Sequence, residues 1–128
     1  MGKNNSYFAT VDEIPLRLHI LFSTMDDELK QVQSKFGFAC FLTEVYAELM
    51  NIHPFREGNG RAIREFIREY ANEKSKYLSF GEINFSWANV NTEIVNEYID
   101  KARAFRSFIE IEFLNAFEMV DKIDNYNR

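Results

Sequence analysis

The sequence predicts an all-α domain, on three observations. Apolar residues recur at helical spacing in several separate stretches, alternation of strand type is nearly absent, and the few Gly and Pro residues fall between the helical stretches. With 128 residues, 46% of them hydrophobic, one domain spanning 1–128 can bury a core, and 13 Phe and 6 Tyr make that core aromatic-rich.

The elements follow in order. Residues 6–10, Ser-Tyr-Phe-Ala-Thr, are the one piece that reads as a strand, a short N-terminal β flap. Thr10 with Glu13 has capping-box spacing, while Asp12 as cap would place Pro15 in the first turn, where proline is tolerated. Ile14, Leu18, Leu21, Phe22, Met25 and Leu29 then form the apolar stripe of a first helix. A second helix follows Gly37 with Phe38, Leu42, Val45, Tyr46 and Leu49 as its stripe. It must end near Ile52, because Pro54 disfavours the right-handed helical region for His53. A third starts at about Arg61, with Ile63, Phe66, Ile67 and Tyr70 on one face and Arg61, Arg64 and Arg68 on the other. Residues 72–85 read as a connector with one short turn, and 91–104 and 106–121 as two further helices.

Charge and cysteine content exclude several classes. Fifteen basic against 20 acidic residues give −5, which argues against a duplex-binding protein and against a nucleic-acid partner. The single cysteine, Cys40, cannot close an internal disulfide or complete a cysteine zinc site. The apolar runs are too short to span a membrane and the N-terminus lacks a signal-peptide core, so the expectation is a cytoplasmic domain.

The chemistry is concentrated between residues 53 and 64. Gly58-Asn59-Gly60 immediately precedes a helix, so backbone N–H groups can converge there into an anion nest. Arg61 and Arg64, in the first turn of that helix, add two permanently charged planar donors. Glu57 is a hard oxygen ligand beside any bound phosphate, where Mg²⁺ would sit. His53 lies at a helix end, and an imidazole, with an ordinary pKa of about 6.5, suits a general base at neutral pH. Phe55 would pin the loop to the core. Base, metal ligand, anion nest and two arginines are the parts of a phosphoryl- or nucleotidyl-transfer site.

The run His53-Pro54-Phe55-x-Glu57-Gly58-Asn59-Gly60-Arg61-x-x-Arg64 constrains nine positions. A chance match is on the order of 10⁻⁹ per chain of this length. It resembles the signature of the Fic family, His-Pro-Phe-x-(Asp/Glu)-Gly-Asn-Gly-Arg-x-x-Arg, at every defined position. The likeness extends over residues 6 to 114, with the flap upstream of the motif and helices ending and opening at its two sides.

The resemblance implies transfer of AMP from Mg-ATP to a Tyr, Thr or Ser hydroxyl of a target protein. By it, His53 is the general base, Glu57 holds Mg²⁺, and Gly58, Asn59 and Gly60 cradle the α- and β-phosphates. Arg61 and Arg64 bind the β- and γ-phosphates and stabilise departing pyrophosphate. In the related Doc toxins the segment after the acid differs and phosphate itself is transferred; Gly60-Arg61 follows the adenylylating pattern. A Doc-like phosphotransferase and a non-catalytic ATP-binding module are the alternatives. The family's self-inhibiting motif, whose Glu pairs with the second motif arginine, has no counterpart, because the one Glu followed by Gly or Asn is Glu57. The expectation is therefore restraint in trans, by a small antitoxin-like partner presenting a Glu to Arg64. The expected upstream helix and first flap strand are not in the sequence, as in a minimal or shortened domain.

Other conspicuous residues read as ordinary. His19 is off its helix's apolar stripe, Cys40 reads as packing, and Trp87 as a core plug more than an adenine platform. Tyr7 and Phe8 would line the flap. Glu110, Glu112, Glu118, Asp121 and Asp124 read as solvated helix surface.

Overall fold

The computed structural model describes residues 12–53 and 58–120. It is mostly helical: α1 (Ile14–Leu29), α2 (Lys35–Ile52), α3 (Asn59–Lys74), α4 (Thr92–Tyr98) and α5 (Arg106–Asn115). A small antiparallel sheet pairs β1 (Ile83–Phe85) with β2 (Phe117–Met119). Three 3₁₀ turns, Ser75–Tyr77, Trp87–Asn89 and Arg103–Phe105, complete the connections. No described helix is long and apolar enough to cross a membrane.

The core is built round α2, which packs against α1, α3 and α5. Phe38, Ala39, Phe41, Leu42, Val45, Tyr46, Ala47, Leu49 and Ile52 are all buried, so α2 presents apolar surface on more than one side, as a central helix must. It opens two residues before Gly37, because the Ser34 side chain accepts the Gly37 N–H at 2.9 Å and caps it. It ends at Ile52, where Pro54 dictates. In α1 the expected cap is replaced by Glu13, which makes no side-chain cap bond; Pro15 occupies the first turn. Leu21 and Met25 are buried there, while Phe22 stands half-exposed against the Phe66 ring at 5.8 Å.

Further expectations are corrected. The helix expected over 91–104 stops at Tyr98. That ring stacks on Phe108 at 4.5 Å, and Ala102 leaves the helical region, so the chain folds back into the 3₁₀ turn and α5. The helix expected over 106–121 stops at Asn115, because Phe117-Glu118-Met119 pairs with Ile83-Asn84-Phe85 in register Ile83↔Met119 and Phe85↔Phe117. The described strands therefore lie in the connector and after α5; the expected flap, residues 6–10 with Tyr7 and Phe8, lies outside the described residues. The third helix starts at Asn59, not Arg61, and so takes in Asn59 and Gly60.

The sheet is tied to the end of α3. Ser75 Oγ, fully buried, accepts the Ile83 N–H at 3.0 Å, and Asn72 Oδ1 accepts the Phe85 N–H at 2.7 Å. Glu112 accepts the Asn91 N–H at 2.7 Å and Glu118 accepts from Asn84 and Asn89. These two acids hold connections and are not mere solvated surface; Asp121 and Asp124 lie outside the described residues.

Candidate active site

His53 closes α2 as its C-cap with φ 55° and ψ 60°, the sole positive-φ non-glycine residue among those described. Such a backbone costs of order 1–3 kcal/mol and is held here by its surroundings. The His53 N–H donates to Leu49 O at 3.0 Å, and Nδ1 lies 3.2 Å from Met50 O. A carbonyl only accepts, so this contact suits the tautomer with the proton on Nδ1.

Across residues 54–57, Gly58 begins the second half of the site with φ 72° and ψ 21°. Left-handed backbone is nearly free for glycine, and none of the described residues comes within 4 Å of its missing Cβ. Gly58 O accepts the Ala62 N–H at 3.0 Å, and among the described residues no side chain caps α3. Helical geometry offers the first-turn N–H groups no acceptor within the helix, so they suit an anion. Asn59 is buried in that turn and Gly60 follows it.

Arg61 is exposed and Arg64 half-buried. The Arg64 guanidinium curls back over Gly60: a Cβ on residue 60 would stand 3.0 Å from Nη1. Gly58, Arg61, Ala62, Arg64, Glu65 and Trp87 line one open cavity of about 630 Å³. The structure thus brings Gly58, Gly60, Arg61 and Arg64 together at one helix start. Arg68, expected on the same face, is turned to a carboxylate of its own helix: its Nε donates to Glu65 at 3.1 Å. That contact holds the Glu65 carboxyl below the usual carboxylate range. Glu57 and Phe55 lie outside the described residues.

Two residues read as core material stand at the site. Trp87 is a cavity wall whose Nε1–H donates to Arg64 O at 2.8 Å. Its ring also packs edge-on against Phe85 and Phe113 at 5.0 and 5.5 Å, so it is a core plug as well. Tyr46 is 1% exposed; burial pushes its phenol above the usual range, and the nearby Arg64 guanidinium opposes that shift. One signal was present: Tyr46 lies seven residues before His53, two helical turns, and so shares its face of α2. Trp87 has no comparable local signal. His19 is exposed, and the Cys40 thiol is pushed up to about 11 by burial and then by Glu110.

A family model described as the Fic/DOC family matches residues 1–71, more than half of the chain. "Probable protein adenylyltransferase y4lH" of Sinorhizobium fredii is 37% identical over 68 residues, which take in 52% of this chain and 35% of that protein. "Protein adenylyltransferase VbhT" of Bartonella schoenbuchensis is 47% identical over 36 residues, 28% of this chain and 8% of that one. The chain therefore spans about a third or less of the length of these relatives. No solved structure matches. With the motif complete from His53 to Arg64 and the family model covering it and the helices on either side, the chain belongs to the Fic/DOC family.

Proposed function

We propose that the chain transfers AMP from Mg-ATP to a hydroxyl of a target protein. The observation that carries this reading is the α3 start, where a helix N-terminus with no side-chain cap among the described residues, two arginines and a cavity meet. A polyphosphate fits that donor set in charge and in kind. The printed names of the two relatives support the nucleotidyl form of the chemistry.

In the reaction, Nε2 of His53 takes the proton from the target hydroxyl. That oxygen attacks the α-phosphorus, the bond from the α-phosphorus to its bridging oxygen breaks, and pyrophosphate leaves. The first-turn N–H groups of Gly58, Asn59 and Gly60 hold the α- and β-phosphates. Arg61 and Arg64 neutralise charge gathering on the departing pyrophosphate. Glu57 would hold Mg²⁺, which supplies further neutralisation between the phosphates. A partner presenting a carboxylate to Arg64 would compete with the γ-phosphate and restrain the reaction.

Incubation with α-labelled ATP and a native lysate tests the reading. A labelled protein band is expected, and His53→Ala should lower its rate by about two to four orders of magnitude. Label from γ-labelled ATP instead would point to phosphoryl transfer. Nucleotide binding without label from either would point to a binding module.

A further inference from the structure

The segment from Ile83 to Trp87 clasps α3 from outside the helix. Ser75 Oγ accepts the Ile83 N–H at 3.0 Å, and Asn72 Oδ1 accepts the Phe85 N–H at 2.7 Å. Two residues on, the Trp87 indole N–H donates to the Arg64 carbonyl at 2.8 Å. From Ser75 back to Arg64 the clasp runs about 16 Å along the helix axis. Ser75 and Asn72 hold the end of α3 away from the site. Trp87 holds the end that bears Gly58, Arg61 and Arg64, and its ring is a wall of the same cavity.

That end needs a hold. α3 opens on left-handed Gly58 with no side-chain cap among the described residues, and Arg61 stands exposed. Helix ends fray, and first-turn N–H groups have no acceptor inside the helix. An anion that gathers them either meets them already aligned or orders them as it binds, at a cost in conformational entropy. A backbone carbonyl has two lone pairs, so Arg64 O takes the indole N–H beside the bond its helix supplies. The donor is itself lodged: the Trp87 ring packs edge-on against Phe85 at 5.0 Å and Phe113 at 5.5 Å. Such pairs fix the plane of the ring as well as its distance, so the second turn of α3 is tied to a fixed point.

We propose that Trp87 is a positioning residue: its indole N–H, tied to the Arg64 carbonyl, holds the first two turns of α3 in the shape that receives a phosphate chain. This rests on the reading of that helix start as a phosphate site and not on the identity of the group transferred. Positioning of this kind is reciprocal. If opening the bond weakens anion binding by a given factor, a bound anion makes opening rarer by the same factor. A tie that served stability alone would show neither effect.

The chain has one tryptophan, so a single indole N–H signal reports the bond in nuclear magnetic resonance. The full chain is titrated calorimetrically with tripolyphosphate, and its indole hydrogen exchange is timed with and without that ligand. Two replacements are titrated beside it: Trp87→Phe, and benzothiophene in place of the indole, which keeps both rings and loses the N–H. Both should weaken tripolyphosphate about threefold to tenfold, the worth of one hydrogen bond. Saturating tripolyphosphate should slow exchange of the parent's indole N–H by the factor that the benzothiophene chain loses in affinity. Full affinity in the benzothiophene chain overturns the proposal even where Trp87→Phe is weakened, because the cavity wall and not the bond would then matter. Indole exchange indifferent to the ligand overturns it too, and that measurement needs no variant to fold. Failure of the parent chain to bind tripolyphosphate overturns it together with the phosphate-site reading. Binding and coupling without AMP transfer would remove the adenylyl reading and leave Trp87 in its role.

Discussion

Gly60→Ala should make the protein slightly more stable and a poorer binder of ATP. Gly60 lies in the first turn of α3 with ordinary helical backbone, where alanine is favoured over glycine by about 0.5–1 kcal/mol. The three atoms nearest an added Cβ all belong to the Arg64 guanidinium, at 3.0, 3.8 and 3.9 Å. The closest is a few tenths of an ångström too near, and it is the end of a flexible side chain. The strain is relieved by moving the guanidinium, at little cost in stability. For a chain of 128 residues, about 0.5 kcal/mol raises the melting temperature by roughly 2 °C. A displaced Arg64 loses its place over the helix start, and a loss of about 1.4 kcal/mol there is tenfold in affinity. Gly58→Ala is the contrast: with φ 72° and none of the described residues within 4 Å, its cost is that of the left-handed backbone, about 1–2 kcal/mol. Gly58→Asn should recover part of that cost, because asparagine tolerates this region. Thermal melts and calorimetry with ATP on one set of samples measure both effects. Full ATP affinity in Gly60→Ala would show that the curled pose of Arg64 is not its binding pose. A fall of several degrees in melting temperature would show that the site is not as yielding as argued.

Arg64→Ala should weaken ATP far more than ADP in the same calorimetric titration, because only ATP carries the γ-phosphate that Arg64 is proposed to hold; equal losses would remove that assignment. Cys40, with its thiol pushed up to about 11, should alkylate slowly with iodoacetamide at pH 8 and faster only as the pH nears that value. The sign for stability follows: between about pH 9 and 11 the unfolded chain releases the thiol proton while the folded chain keeps it, so stability falls as pH rises through that window, and the fall should be absent in Cys40→Ala.

What the sequence revealed was what local chemistry decides. The stop of α2 at Ile52 follows from Pro54 acting on its neighbour, and the buried face of α3 follows from the spacing of Ile63 and Ile67. The left-handed Gly58 that opens α3 is likewise a local event, although the helix begins at Asn59 and not after Gly60. The sheet was hidden because its partners, Ile83 and Met119, lie far apart in sequence and each strand is three residues long, too short for a periodic signal. Phe117 and Met119 also continue an apolar run that suits a helix equally well until β1 is there to pair with them. The start of α2 was misplaced because Gly37 reads as a breaker, whereas here its N–H is what Ser34 caps. The position of Trp87 depends on packing between elements and has no local trace.

The second half of the chain is part of the site and not an appendage to it. The family model ends at residue 71, yet a cavity wall is Trp87. That residue is placed by a chain of contacts running out from α3. Asn72 and Ser75 fix β1, and β1 carries Phe85, whose ring meets Trp87 at 5.0 Å. Phe113, brought from α5, meets Phe85, Trp87 and Tyr46 at 5.6, 5.5 and 5.6 Å. Edge-to-face pairs of this kind contribute about 0.5–1.5 kcal/mol each beyond the area they bury, and they fix angles as well as distances. The cluster reaches Arg64 through the indole N–H of Trp87. A substitution deep in α5 can therefore reach the motif arginine without touching the motif, because Trp87 belongs both to the aromatic core and to the cavity wall beside Arg64.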